Sequence, residues 1–244
     1  MGAHERPGAG LLTFDAVTTY AQRHWDQYAN RCVKTFDEHW RGVVLHAIED
    51  AQIDSDWLDQ FKRRHAWRPT VNYRFDAVRF AHKVAVIESQ FFGGFRDCMV
   101  WMDADCVTHA RVDAAWLTRL LGDADFAYLR RTKKYSETGF MIFRRNAACS
   151  ELICRVTDMY RNDGLFSLKE WHDCMAFDTV REAMEREGLI RCVSLSGDAE
   201  NTGHPLVNGP LGERLDHCKG ARKQAGKSKP SDLVKPRAEA YWNA

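Results

Sequence analysis

Several features are missing from this sequence of 244 residues, and each absence removes a class of protein. No uninterrupted apolar run approaches the roughly 20 residues a membrane span requires, and residues 1–10 lack the apolar core of a secretory signal, so a soluble, cytoplasmic protein with no transmembrane segment is expected. Neither sign of charge is in excess. Lys plus Arg is 35 against 34 for Asp plus Glu, and a net charge of +1 gives no whole-molecule field to draw the chain to nucleic acid or membrane. The eight cysteines include no C-x-x-C pair, which argues against a zinc ribbon or a disulfide framework and for reduced cysteines in a core. No internal repeat is present. Gly226-Lys227-Ser228 is not the end of a phosphate loop, because five residues rather than four separate Gly220 from Gly226 and no strand precedes it.

What remains is the composition of a globular protein, 45% hydrophobic and 28% charged. The length suits one large α/β domain over 1–244, with 1–10 a leader and about 224–244 a loop-rich tail. Residues 11–17 read as a strand, 18–20 as a turn, and Ala21, Trp25, Tyr28, Cys32 and Phe36 recur at helical spacing. Residues 42–48 read as a strand buried on both faces, and 51–74, broken by Pro69, as irregular structure or short helices. Further helices are expected over about 76–90, 113–121, 147–161 and 174–187, and strands over 98–102, 126–129, 139–143 and 190–195.

The apolar strand Cys98-Met99-Val100-Trp101-Met102 stops abruptly at Asp103-Ala104-Asp105. Residues two apart on an extended segment face the same way, so Asp103 and Asp105 could hold Mn²⁺ or Mg²⁺ with open positions left for substrate phosphates. Asp123-Ala124-Asp125 repeats the spelling ahead of its strand rather than after it, and no metal is expected there. Near the C-terminus, Lys219, Arg222, Lys223, Lys227 and Lys229 sit on a glycine-containing stretch where cations and backbone amides can approach phosphate, although a solvated basic tail explains Lys227 and Lys229 equally well.

Val100-Trp101-Met102-Asp103-Ala104-Asp105 resembles the D-x-D strand of GT-A-type glycosyltransferases, and Glu137-Thr138-Gly139-Phe140-Met141-Ile142-Phe143 is similar to the strand beside their sugar pocket. His217, Gly220 and Lys223 fall on the H-x-x-G-x-x-K segment of some of these enzymes, including small ones from bacteria and phages. The resemblance implies a mixed, mainly parallel sheet flanked by helices and a metal-dependent transfer of a sugar, hexosyl or pentosyl, from a nucleotide diphosphate, with UDP favoured, to an acceptor hydroxyl. It implies that Asp103, Asp105 and His217 bind the metal, with His204 the alternative to His217, and that Asp103, Lys219, Gly220 and Lys223 meet the donor.

Thr18 and Tyr20 after the first strand, and Lys83 on the helix before the D-x-D strand, are further donor-site candidates. Asp173 or Glu170 could serve as the base, with Asp173 also a helix cap, and Glu137 competes as a sugar or acceptor contact. The acceptor could be a glycan or, given the basic segment Arg130-Arg131-Thr132-Lys133-Lys134, a nucleic acid such as modified phage DNA. Eight Trp and thirteen Phe could line a glycan cleft, although aromatics more often build core. Two other readings remain. A sugar nucleotidyltransferase would need a glycine-rich loop where Thr18-Thr19-Tyr20 stands, and a carbohydrate-binding protein could keep the fold without turnover.

Overall fold

The strands are β1 (Phe14–Tyr20), β2 (Trp40–Arg41), β3 (Val44–Glu49), β4 (Cys98–Met102), β5 (Cys106–Thr108), β6 (Val112–Asp113), β7 (Phe126–Leu129), β8 (Glu137–Arg144), β9 (Cys192–Ser194) and β10 (Leu215–His217). The longer helices are α1 (Asn30–His39), α2 (Asp56–His65), α3 (Ala77–Gly93), α4 (Ala114–Leu121), α5 (Ala147–Arg161) and α6 (Asp173–Arg186). Three single turns follow, α7 (Pro205–Asn208), α8 (Arg222–Ala225) and α9 (Ala240–Asn243). The structure, a computed structural model, describes residues 11–68 and 72–243; the expected leader and Pro69 lie outside the described residues.

Six strands form one sheet in the order β3-β1-β4-β8-β7-β9. The pairs β1–β3, β1–β4 and β7–β9 are parallel, and β8 runs antiparallel to both of its neighbours. β4 (CMVWM) and the Phe140–Phe143 part of β8 are continuously apolar because both faces are covered. Met99 and Trp101 of β4 enter one core with α2, α3, α5 and α6, whereas Cys98, Val100 and Met102 enter a second core with α1 and α4. The alternation repeats in β8, where Met141 and Phe143 face the first core and Phe140 and Ile142 the second.

Four local expectations are corrected. Residues 18–20 continue β1 instead of turning, since Thr18, Thr19 and Tyr20 pair in parallel register with Ala47, Ile48 and Glu49, and β-branched threonines suit that extended backbone. β3 is an edge strand with Val44 exposed, so it is not buried on both faces. Residues 56–65 form a regular helix: Ser55 accepts from the Leu58 amide, and Leu58, Phe61 and His65 recur on one buried face. Finally, His172 rather than Asp173 caps α6, accepting the Met175 amide through its ring and leaving Asp173 as the first helical residue. None of the helices among the described residues is long and apolar enough to cross a membrane.

Candidate active site

β8 is the strand that assembles the site. Because it is antiparallel to β4, its first residues lie beside the last residues of β4, with Met102 opposite Phe140. The Asp103 amide then donates to the Gly139 carbonyl at 2.9 Å. A second pairing brings in the C-terminal segment: β10 lies antiparallel to β5 with His217 opposite Cys106, and the Cys218 amide donates to the Asp105 carbonyl at 2.9 Å. Residues more than a hundred positions apart thus meet at one sheet end.

His217 Nε2 lies 2.9 Å from Asp105 Oδ1 and 3.8 Å from Asp103 Oδ2. Each aspartate is held through its other oxygen. Asp103 Oδ1 accepts from Trp101 Nε1 at 2.8 Å and from Lys83 Nζ at 3.0 Å, and Asp105 Oδ2 pairs with Lys223 Nζ at 3.0 Å. Burial opposes ionisation of Asp105, but His217, Lys223 and Lys219 prevail and hold its carboxyl well below the usual range. Asp105, Cys106 and His217 each offer one ligand atom within 4.8 Å of the others, and Asp103 Oδ2 approaches this group at His217; carboxylate oxygen and imidazole nitrogen are donors that Mn²⁺ or Mg²⁺ can take. Cys106 belongs to the same group; burial pushes its thiol pKa well up, and the thiol donates to the Gly139 carbonyl at 3.8 Å. His204 stands behind His217, ring to ring at 5.0 Å, and its Nε2 faces Glu137 at 3.4 Å rather than the aspartates.

Gly139 makes this geometry sterically accessible. A Cβ on it would lie 2.8 Å from His217 Nδ1 and closer still to Cε1, so a side chain here would push the imidazole away from Asp105.

Lys83, expected at the diphosphate, has its donors engaged within the protein. Its ammonium meets Asp103 at 3.0 Å, Asp173 Oδ2 at 2.7 Å and the Thr138 carbonyl at 2.7 Å, and it lies over the Trp101 ring at 5.0 Å. Burial disfavours its charge, yet the two aspartates keep it protonated far above the ordinary lysine value. Asp173 is buried and accepts from Thr138 Oγ1 at 2.6 Å; burial opposes its ionisation, but Lys83 and Thr138 hold it below the usual carboxylate value. Glu170 lies between Arg74 at 3.2 Å and His172 at 2.8 Å.

The other expected residues are placed as follows. Glu137 is buried between Lys219 at 2.6 Å and Arg131 at 2.9 Å; burial opposes its charge, and Lys219 leads the groups that hold it far below the glutamate value. Gly220 adopts φ 60°, a left-handed turn that returns Lys223 toward Asp105 and over the Tyr28 ring at 4.2 Å. Tyr20 is half-buried against Trp25 at the end of β1. Thr18 is fully enclosed within β1 and apart from this cluster, its hydroxyl without a hydrogen-bond partner.

Sequence reasoning missed the parts played by Trp101, Thr138, Arg131 and Tyr28. A signal existed for Trp101, two residues before Asp103 on the same strand face. The other three meet the site only through tertiary packing. The second D-x-D copy supports structure instead: Asp125 accepts from Asn146 at 2.8 Å and from the Arg191 amide at 2.9 Å.

A glycosyltransferase involved in glycosylation of the major capsid of PBCV-1 aligns with the chain at a TM-score of 0.51 and 12% identity, over 88% of this chain and 98% of that one. The chain has a glycosyltransferase fold. It is the GT-A-like α/β fold that the motifs resemble. The glycosyltransferase GlyE of Streptococcus pneumoniae TIGR4 aligns at 0.46 and 12% identity, over 75% of this chain and 45% of that one, so the chain spans less than half of GlyE. Mouse xyloside xylosyltransferase 1 aligns at 0.49 and 8% identity, over 85% and 97%. No protein-family model and no curated protein matches the chain.

Proposed function

We propose that this GT-A-like protein is a metal-dependent glycosyltransferase that moves a sugar from a nucleotide diphosphate to an acceptor hydroxyl. The observation that carries the reading is the convergence of Asp103 Oδ2 and Asp105 Oδ1 on His217 Nε2 at the end of β4. These three residues would hold Mn²⁺ or Mg²⁺, which supplies positive charge against the departing diphosphate. Lys223 and Lys219 flank that point and offset the remaining phosphate charge, with the Gly220 turn bringing them together.

In the transfer, the bond from the sugar C1 to the diphosphate oxygen breaks and a bond from C1 to the acceptor oxygen forms. The acceptor proton must leave. Asp173 and Glu137 are both held well ionised by neighbouring cations, which makes them weak bases and suits them to orienting hydroxyls. Glu170 is paired with a cation too, the half-exposed Arg74, but its side chain is less enclosed than those of Asp173 and Glu137, and it is the carboxylate assigned to proton removal in an inverting transfer. The nucleoside is assigned to the end of β1 near Tyr20, with UDP the first candidate.

Calorimetry of UDP, GDP, CDP and ADP, each with Mn²⁺ and with EDTA, tests the reading on the wild type and Asp105→Asn. One nucleotide is expected to bind, only with metal and only with Asp105 intact. Binding of none, or binding indifferent to EDTA, rejects the mechanism.

A further inference from the structure

Three aromatic side chains at the segment leading into α3 are left open to solvent: Trp67 at 72%, Tyr73 at 53% and Phe75 at 41% exposure. Large rings are seldom exposed together without a reason. They continue into half-buried Trp171, which meets Phe75 edge to face at 5.2 Å, and into Tyr135, whose ring stands 4.3 Å from His172. The patch is not plain hydrocarbon. The Arg68 guanidinium lies over both Trp67 and Trp171, Arg74 pairs with Glu170, and the Tyr73 and Tyr135 phenols interact with each other.

Guanidinium groups thus lie over the Trp67, Trp171 and Tyr73 rings and the paired phenols stand at the rim, a mixture of exposed ring carbon and hydrogen-bonding groups that matches a pyranose, with its C–H faces and its hydroxyls, better than it matches an aliphatic surface. The patch also adjoins the reaction centre. The Trp171 amide donates to the Arg74 carbonyl at 2.7 Å, Glu170 and His172 flank Trp171 and pair with each other, and the next residue, Asp173, reaches Lys83 and through it Asp103.

We infer that the exposed rings of Tyr73 and Phe75 form a stacking surface for a neutral saccharide acceptor, whose hydroxyl is then presented toward Glu170. This deepens the glycosyl-transfer reading and rests on it.

Saturation-transfer NMR of the full chain with lactose, maltose, cellobiose and xylobiose tests it, alongside nucleotide calorimetry on the same samples. Ring C–H protons of at least one disaccharide should receive saturation in the wild type. Its affinity should fall about fivefold or more in Tyr73→Ala and Phe75→Ala, persist in Phe75→Trp, and change without any change in nucleotide binding. Because both rings are exposed, these variants should keep the wild-type circular dichroism. The inference is overturned if no disaccharide binds, if binding ignores the alanine variants, or if they weaken the nucleotide instead, which would move the platform to the donor. Metal-dependent nucleotide binding that survives a failed disaccharide screen leaves glycosyl transfer standing; failure of both removes the larger reading as well.

Discussion

Trp101 shows how a single neighbour sets what Asp103 can offer. Its indole N–H and the Lys83 ammonium occupy Oδ1, which leaves Oδ2 turned toward His217. Groups that orient a ligand in this way change metal affinity when removed. Trp101→Phe deletes the donor and part of a fully buried ring, and should weaken Mn²⁺-dependent nucleotide binding about tenfold while also lowering the melting temperature, as read by calorimetry and thermal unfolding. Gly139 acts through space instead. In Gly139→Ala the new methyl displaces the His217 imidazole, and metal-dependent binding should fall by about tenfold or more, whereas nucleotide binding in EDTA stays at background. An unchanged Mn²⁺ titration in either variant would remove that residue from the site.

At the scale of elements, Lys83 ties α3 to the end of β4 through Asp103, to β8 through Thr138 and to the start of α6 through Asp173. Three elements far apart in sequence thus share one buried ammonium. Removing a single member of a buried ion pair leaves uncompensated charge, so Lys83→Met should lower the free energy of unfolding by about 3–5 kcal/mol in urea titrations. Adding Asp173→Asn should restore part of the loss, since one of the stranded carboxylates is then neutral. A double variant less stable than the single one would contradict this account.

Across the whole molecule, the C-terminal segment returns to the sheet it would otherwise trail from. Tyr241 stacks on His109 with centroids 4.1 Å apart and donates to Asp216, and Trp242 donates to the Gly212 carbonyl. These contacts brace β10, the strand that presents His217. His109, beneath the stack, has Nε2 without a hydrogen-bond partner, and burial depresses its pKa from 6.5 to about 4 against the opposing pull of Asp216 and Glu239. The unfolded chain therefore binds this proton more readily than the folded one between those values. Its contribution is full above pH 6.5 and is lost progressively as pH falls toward 4. The melting temperature of His109→Phe should accordingly decline less over that interval than the wild type's, and parallel curves would remove His109 as a source of acid sensitivity.

How far the sequence could be read follows from the range of each interaction. Where both faces of a strand are buried, apolar runs are continuous, and β4 and β7 were legible to the residue at 98–102 and 126–129. α5 was legible over 147–161 because its periodicity and its Asn146 cap are local. Edge and centre were not. The run at 42–48 looks like an interior strand, but only the sheet order makes β3 an edge, and only pairing with β3 keeps residues 18–20 extended. The sequence by itself determined the strand ending in two aspartates, the residue types at 217, 220 and 223, and the chemistry those types permit. Tertiary structure alone decided that β8 runs antiparallel beside β4, that β10 lays His217 against Asp105, and that Lys83 faces two aspartates within the protein. The physical reason is that strand order and long-range ion pairing depend on the free energy of the whole packed chain, whereas periodicity, capping and ligand chemistry are carried by neighbouring residues.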